Sequence, residues 1–427
     1  MINRIINVLN EAQVSDYRIM EVKKVSHQAF FVRQFLDQHR ISDTVHTTLD
    51  VYMDTEENGQ KFRGKASKEI YQNESEEEIR KDVEQLKYNA SLAKNPFYQL
   101  VKDEKYQEEE KDYDLIALLN DVVQGVQNVR DTDSEKINSY EVFVNGYYYH
   151  IVNSQGTDVA FNSMNEEVEV IINSVDDGHE IELYHDSTFA GKPVTEITDD
   201  ILKVFRYAKD RTRAQATKKM MNARVLLSGD FNADFYDYFL DRANSAEVFY
   251  GESQVQLGDD CQHNSEGDKI TLRLVSQLPH SSRNMPYSKD GNKALDLTIV
   301  ENGVYRNYWG DQITGYYLGL EKITDANNFI VEAGSKTVEE MKKEPYLEVI
   351  EFSDFGMDSI TGNFGGEIRL GYYYDGEKVV PVTGGSITCN MDKALKHIYL
   401  SQETRQYDNC VVPCTIELFD VNVAGEQ

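Results

Sequence analysis

A chain of 427 residues can bury sizeable cores and, at roughly 100–200 residues per domain, is long enough for two domains. Its 74 acidic side chains outnumber 44 basic ones and leave a formal charge of -30, a field that repels phosphate backbones and argues against nucleic-acid binding. No run approaches the roughly 20 apolar residues of a membrane span, and the opening MINRIINVLNEAQ lacks the apolar block of a secretory signal, so a cytoplasmic protein with no membrane role is expected.

Met1 to Ala12 reads as a short helix with an apolar stripe of Ile5, Ile6, Val8 and Leu9. Tyr17 to Val25, Ala29 to Leu36 and Thr44 to Met53 alternate apolar and polar residues, as antiparallel strands do. Ser75-Glu76-Glu77-Glu78 is a capping box, and Ile79, Val83, Leu86 and Ala90 continue it at helical spacing until Asn95-Pro96 ends the helix. The run DEKYQEEEKDYD reads as solvated surface. Asp112 to Val129 is a second helix with Leu115, Leu118, Leu119, Val122 and Val126 inward.

From Tyr140 the pattern returns to strands through Val144, Tyr147 to Val152, Val159 to Phe161, Glu167 to Ile172 and His179 to Tyr184. A long helix from Thr198 to about Met221 follows, with Ile201, Phe205 and Ala208 on one side and its Lys and Arg residues elsewhere. A domain boundary near Ala223 separates 1–222 from 223–427, where Arg224 to Leu227 is a strand and Asn232 to about Ala243 a helix. Further on, Glu367 to Tyr374 alternates with period two, Asp375-Gly376 supplies a tight hairpin turn, and Glu377 to Thr383 returns. Ser386 to Cys389 forms a third extended piece before a short helix over Met391 to Leu400. The expected class is α+β: an antiparallel or mixed sheet with helices, then a β-rich, barrel- or sandwich-like domain with a few helices.

The stretch Asp354 to Asn390 resembles the TldD/PmbA family, also called modulators of DNA gyrase, in its order of Thr361-Gly362-Asn363-Phe364, a Gly-rich strand, a hairpin, Pro381-Val382 and a Gly-to-Asn390 step. Leu297 to Gly319, Ala333-Gly334-Ser335 and the closing Val423-Ala424-Gly425 are similar to further family segments, so the resemblance covers 224–425. Before that, Asn153-Ser154-Gln155-Gly156 and the helix running into Asn95-Pro96 carry it.

The resemblance implies zinc peptidase chemistry in active members, which carry H-E-x-x-x-H on the helix after the first strand of the second domain and a cysteine near the end. Here that helix reads FNADFYDYFLDRAN, and LSQETRQYD (Leu400 to Asp408), where the cysteine is expected, has none. A catalytic zinc needs about three protein ligands, and Tyr236, Tyr238 and Asp241 cannot replace that set. The chain therefore looks like the TldE or PmbA branch, whose members lack the metal motif and pair with a zinc-bearing TldD partner. No catalytic or metal-binding residue and no cofactor are expected in this chain.

Other clusters are weaker. His179 and His185 have the letters of a metal motif, but on a strand six residues separate them by roughly 20 Å. Cys410 and Cys414 alternate within a strand and are read as packing. Four cysteines are too few for a disulfide scaffold, so these two, Cys261 and Cys389 are expected as reduced thiols. Cys261, His263 and His280 are either loop residues or a relocated metal site.

For substrate, Tyr308, Trp309, Tyr372, Tyr373, Tyr374 and Asn363 are the candidate peptide-binding residues, since a hairpin edge can hold an extended peptide. The same tyrosines could instead fill β layers. Two functional expectations follow: a non-catalytic subunit of a heterodimeric peptidase, or a stand-alone homodimeric peptide-binding protein.

Overall fold

The computed structural model describes residues 1–426. In the first half, helix α1 (Ile2–Glu11) precedes strands β1 (Asp16–Val32), β2 (Phe35–Glu57) and β3 (Gln60–Ile70), and α2 (Glu76–Leu92) precedes β4 (Asn95–Pro96) and β5 (Lys105–Gln107). Helix α3 (Leu115–Gln127) leads into β6 (Glu135–Asn153), β7 (Asp158–Asp176) and β8 (His179–Phe189), and α4 (Val194–Thr212) closes the half. One sheet runs β4-β3-β2-β1-β6-β7-β5, with β8 also on β7.

The α2 capping box forms as its sequence dictates, with Ser75 accepting from the Glu78 backbone and Glu78 reaching back to the Ser75 N–H. Two expected strands, Tyr17 to Val25 and Ala29 to Leu36, are one: β1 continues through buried Ser26 and His27 and turns only at Arg33, where φ is 56°. Those polar side chains are tolerated because His27 Nδ1 meets His39 Nε2 on the paired strand at 3.2 Å. Helix α4 spans Val194 to Thr212 rather than Thr198 to Met221, since Pro193 sets its first turn and Gln215 already joins a strand.

Residues two apart on a strand share a face, and β1 uses this to separate two jobs. Ile19 and Ala29 face the helices: Ile19 packs with Ile5, Leu9, Ile79 and Val83, and Ala29 with Leu119, Val126, Ile201 and Phe205. Arg18 and Met20 face the second half of the chain, where Arg18 contacts Asp290 and Met20 lies against a cluster holding Tyr287.

The second half contains β9 (Gln215–Ala216), β10 (Met220–Leu227), β11 (Glu266–Gly267), β12 (Leu272–Val275), β13 (Leu297–Glu301), β14 (Val304–Tyr305) and β15 (Asn328–Val331). It continues with β16 (Tyr346–Met357), β17 (Asn363–Tyr374), β18 (Val379–Thr383), β19 (Ser386–Asn390), β20 (His397–Leu400), β21 (Thr404–Tyr407), β22 (Cys410–Pro413) and β23 (Ile416–Ala424). A nine-stranded sheet, β11-β20-β23-β10-β16-β17-β18-β9 with β19 joining β17 and β23, and a six-stranded sheet, β14-β13-β12-β15-β22-β21, share one core. This is the α+β, barrel-like arrangement that the sequence pattern predicts. The chain enters these sheets at Gln215, which pairs with Val382 ahead of the expected break near Ala223. The helix expected over Met391 to Leu400 is a single turn, Met391–Ala394; His397 to Leu400 is instead drawn out as β20 by pairing with β23.

Two positions test how tightly the first half is built. A Cβ on Gly64 of β3 would lie 1.8 Å from the Ala90 carbonyl oxygen, so α2 sits on the strand only because no side chain intervenes. Gly64→Ala is expected to destabilise the protein by about 1–3 kcal/mol, read as a lower urea midpoint. Glu166 on β7 is 2% exposed and accepts from the Gly191 N–H at 2.7 Å; burial pushes its carboxyl up to about 7, against that hydrogen bond and another from Lys192. A carboxyl raised above its unfolded value of 4.5 stabilises the fold fully below that value, and the contribution is lost as pH rises through about 7. Relative to the native sequence, Glu166→Gln is therefore expected to gain on the order of 1–3 kcal/mol of stability on going from pH 5 to pH 8, measured by urea unfolding at both.

Candidate functional site

Helix α4 has two faces. Ile197, Ile201, Val204, Phe205 and Ala208 are buried against the first-half sheet, while Asp200, Lys203, Tyr207 and Asp210 recur at helical spacing on the side that meets the second half. Tyr372 on β17 donates to Asp210 at 2.5 Å, Arg405 on β21 donates to Asp200 at 3.1 Å, and Lys203 lies 3.6 Å from Asp230, just after β10.

Beside this stripe lies a cleft of about 410 Å³, walled by β8 (His185, Ser187, Thr188), α4 (Glu196, Asp199, Asp200, Lys203), Lys192, Asp230, His280 and the 404–408 segment. The volume falls within the range of small-ligand pockets. Two of the wall segments, 404–408 and the turn opened by Asp230, are those in which the sequence resemblance led to the expectation of a cysteine and of histidines, which this chain lacks there.

Its electrostatics depend on desolvation. Burial lowers His185 and Lys203 from their ordinary values, the latter partly countered by Asp230, and raises the Tyr407 phenol so that it keeps its proton. Nearby Glu351 is pushed up to about 7 by burial and by Asp230. Asp200 serves two cations at once, Lys192 and Arg405.

Residues 230–243 form two 3₁₀ turns, Asp230–Asn232 and Asp234–Tyr236, and then α5 (Asp237–Arg242). Phe235, Tyr236 and Phe239 are fully buried in the second-half core, so the segment supplies aromatic packing in place of ligands. Its acids are no substitute. Burial pushes Asp237 up to about 7 and raises Asp234 and Asp241, which favours the protonated form, whereas a cation needs the ionised one. The residues present do not fit a catalytic zinc.

The sequence-derived binding residues fall in three places. The Tyr308 hydroxyl donates to the Val255 carbonyl and Trp309 Nε1 to the Leu240 carbonyl, each at 2.7 Å, and both rings pack on the core. Tyr372, Tyr373 and Tyr374 sit on a strand paired on both sides, to β16 and β18, so the backbone that was expected to form a free edge is already hydrogen-bonded. Asn363 lies on an open groove of about 770 Å³ with Asp354, Gly356, Met357 and Ser386, although its amide is tied to Thr361 and Asn390.

The other clusters are dispersed as well. The Cys261 thiol, raised to about 12 by burial, donates to the Gly303 carbonyl; His263 is exposed near Asp260; and His280 reaches the Ala190 carbonyl at the cleft. His179 and His185 are on one strand, as their alternation predicts, and His185 lines the cleft. Local pattern carried no signal for the cleft residues, because the elements that meet there are far apart in the chain.

Comparison with known proteins agrees with the geometry. Residues 220–425 match the model of the PmbA/TldA metallopeptidase C-terminal domain. An uncharacterized protein of Methanocaldococcus jannaschii is 23% identical over 232 residues, a match that spans 51% of this chain and 55% of that relative. Among solved structures, TldE from Thermococcus kodakarensis superposes with a TM-score of 0.80 at 15% identity, covering 99% of this chain and 100% of that one. Candidate modulators of DNA gyrase from Thermotoga maritima (TM-score 0.76, 15% identity, 99% of each chain) and Bacteroides thetaiotaomicron (0.78, 14%, 99% and 98%) share the fold. Residues 220–425 thus match the carboxy-terminal domain of the PmbA/TldA metallopeptidases, and along its length the chain has the fold of TldE.

Proposed function

We propose that this chain is a non-catalytic, TldE-like subunit of a heterodimeric cytoplasmic zinc peptidase, and that it shapes the chamber in which a TldD-like partner's zinc cuts peptides. The observation that carries this reading is the 230–243 segment: Phe235, Tyr236 and Phe239 fill the core where metal-bearing relatives need histidines and a glutamate. Cleavage by a metal-activated water requires a firmly held ion with an open position. Acids raised by burial and buried aromatic rings cannot hold one.

The subunit's own contribution is then binding and exclusion of water. The seam between its halves offers charged donors in a cleft, and the groove beside Asn363 offers a second open surface for an extended chain.

Co-expression with a chain bearing H-E-x-x-x-H tests the reading. A stable 1:1 complex on size exclusion is expected, with zinc found by elemental analysis only when the partner is present and peptidase activity in the complex alone. Stoichiometric zinc together with peptidase activity in this chain by itself would reject the proposal. Persistent self-association that ignores the partner would favour the homodimeric peptide-binding protein.

A further inference from the structure

Strand β2 outruns its neighbour. Its pairing with β3 begins only at Thr47, so from Phe35 to His46 it pairs with β1 alone among the described residues and leaves its outer edge open. Such an edge presents unused N–H and C=O groups at alternate residues and invites a further strand. The helix layer does not cover it either, since α2 packs on Leu49 and Val51, further along β2, and α3 packs on β1 and β6. Phe35 to Asp43 is exposed throughout, with Phe35 at 78%, Leu36 at 56% and Ile41 at 63%.

The side chains along this edge complement themselves. Asp37 is an extra residue, a bulge between Leu36, opposite Phe31, and Gln38, opposite Phe30. Leu36 therefore faces the helix side together with His39, Ile41, Asp43 and Val45, while Gln38, Arg40, Ser42 and Thr44 face the other way. A two-fold axis that pairs the edge with its own copy must set one residue opposite itself. Centred on Arg40 or Asp43, it opposes like charges, which is destabilising. Centred on Ser42 it sets Ile41 against Asp43, and on His39 it sets Ile41 against the bulge. Centred on Ile41, it sets Ile41 on Ile41, His39 on Asp43 and Leu36 on Val45, with Gln38 on Thr44 and Arg40 on Ser42 on the other face. Every pair is then apolar with apolar or polar with polar, and no like charges meet.

We propose that this edge is a self-association surface, at which a second copy of the chain adds its own β2 antiparallel about Ile41 and joins two first-half sheets into one. The net charge of -30 opposes the approach, but the segment itself sets Arg40 among Asp37 and Asp43, and charges beyond about 8 Å are largely screened at physiological salt. None of its residues belongs to the seam cleft, the groove beside Asn363 or the 230–243 segment, so the pairing does not depend on the subunit reading above. With a partner bound elsewhere it joins two 1:1 complexes through this edge.

Sedimentation of the purified full chain at about 100 µM is expected to show a dimer, and Ile41→Lys, which sets two ammonium groups against each other, to weaken it by about tenfold or more. Ile41 is exposed, so the circular dichroism of this variant is expected to match that of the native chain. Register is read by oxidising single cysteine variants, with the native chain, whose own cysteines are buried or half-buried, as the blank. Ile41→Cys places two thiols on opposed residues, with Cβ atoms about 4.5–5.5 Å apart, and is expected to give a disulfide-linked dimer. Gln38→Cys holds its two thiols about 20 Å apart along the strands and is expected to stay unlinked. A monomer at that concentration, a dimer that Ile41→Lys leaves intact, or linkage of Gln38→Cys as complete as that of Ile41→Cys would overturn the proposal. The subunit reading is decided separately: the Ile41→Lys chain, co-expressed with an H-E-x-x-x-H partner, is expected to form the complex and carry its zinc as the native chain does.

Discussion

Helix α4 is the constraint on which the arrangement of the two halves depends. Its apolar stripe is spent on the first-half sheet and on α3, through Ile197, Ile201, Val204, Phe205 and Ala208, so mainly polar groups remain to face the second half. The seam is therefore held by hydrogen bonds and charge pairs such as Tyr372 to Asp210 and Arg405 to Asp200, reinforced elsewhere by Arg18, which binds Asp50 on its own sheet and Asp290 across the seam. Polar seams of this kind hold position more than they add stability, because each partner gives up hydration to be there. Removing one member leaves the other buried without its partner, and the cleft lies where these pairs meet.

A second, softer joint lies at the other side of the same sheet. Tyr52, Tyr98 and Leu100 pack with Ile313 and Tyr317, while the Tyr317 hydroxyl reaches the Pro96 carbonyl at 2.6 Å and Gln312 reaches Gln99 at 2.7 Å. With aromatic packing at one joint and charge pairs at the other, the halves are fixed at two separated places. That explains how a cleft can persist between them without collapsing. The core of the second half makes the opposite use of its residues: Tyr236 is fully buried with a hydroxyl that finds no partner among the described residues, a cost of about 1–3 kcal/mol that the surrounding aromatic packing must offset.

Much of the fold was legible because it is written locally. The Ser75 capping box, the stripe of α2, and the alternation that made His179 to His185 a strand each depend on a few neighbouring residues, and each appears in the structure. What failed was decided at a distance. Ser26, His27 and Gln28 look like a polar link, yet pairing with Ser42, Ile41 and Arg40 on one side and Asn145, Val144 and Phe143 on the other keeps β1 continuous. Leu395 and Ile398 suggest a helix, but pairing of His397 to Leu400 with β23 overrides that spacing. The site was less legible than the fold. The sequence places the Lys and Arg residues of α4 away from its apolar side and no more, and only the arrival of Arg405 and Asp230 from the second half gives Asp200 and Lys203 their partners.

Total charge misleads in the same way. A formal charge of -30 is an argument about ligands as large as the surface that carries it, and it disfavours a phosphate polymer laid across the molecule. Its reach is limited, because at physiological ionic strength exposed charges more than about 8 Å apart are largely screened from one another. Within the cleft, the groups that matter are a lysine stripped of some of its water beside Asp230, an arginine and a second lysine sharing Asp200, and the further carboxylates of Glu196, Asp199 and Asp408. These pairs are only partly screened because they are partly buried. The scale of a ligand therefore decides which field it meets: a polymer laid across the surface meets the summed charge, whereas a small molecule in the cleft meets these few paired groups.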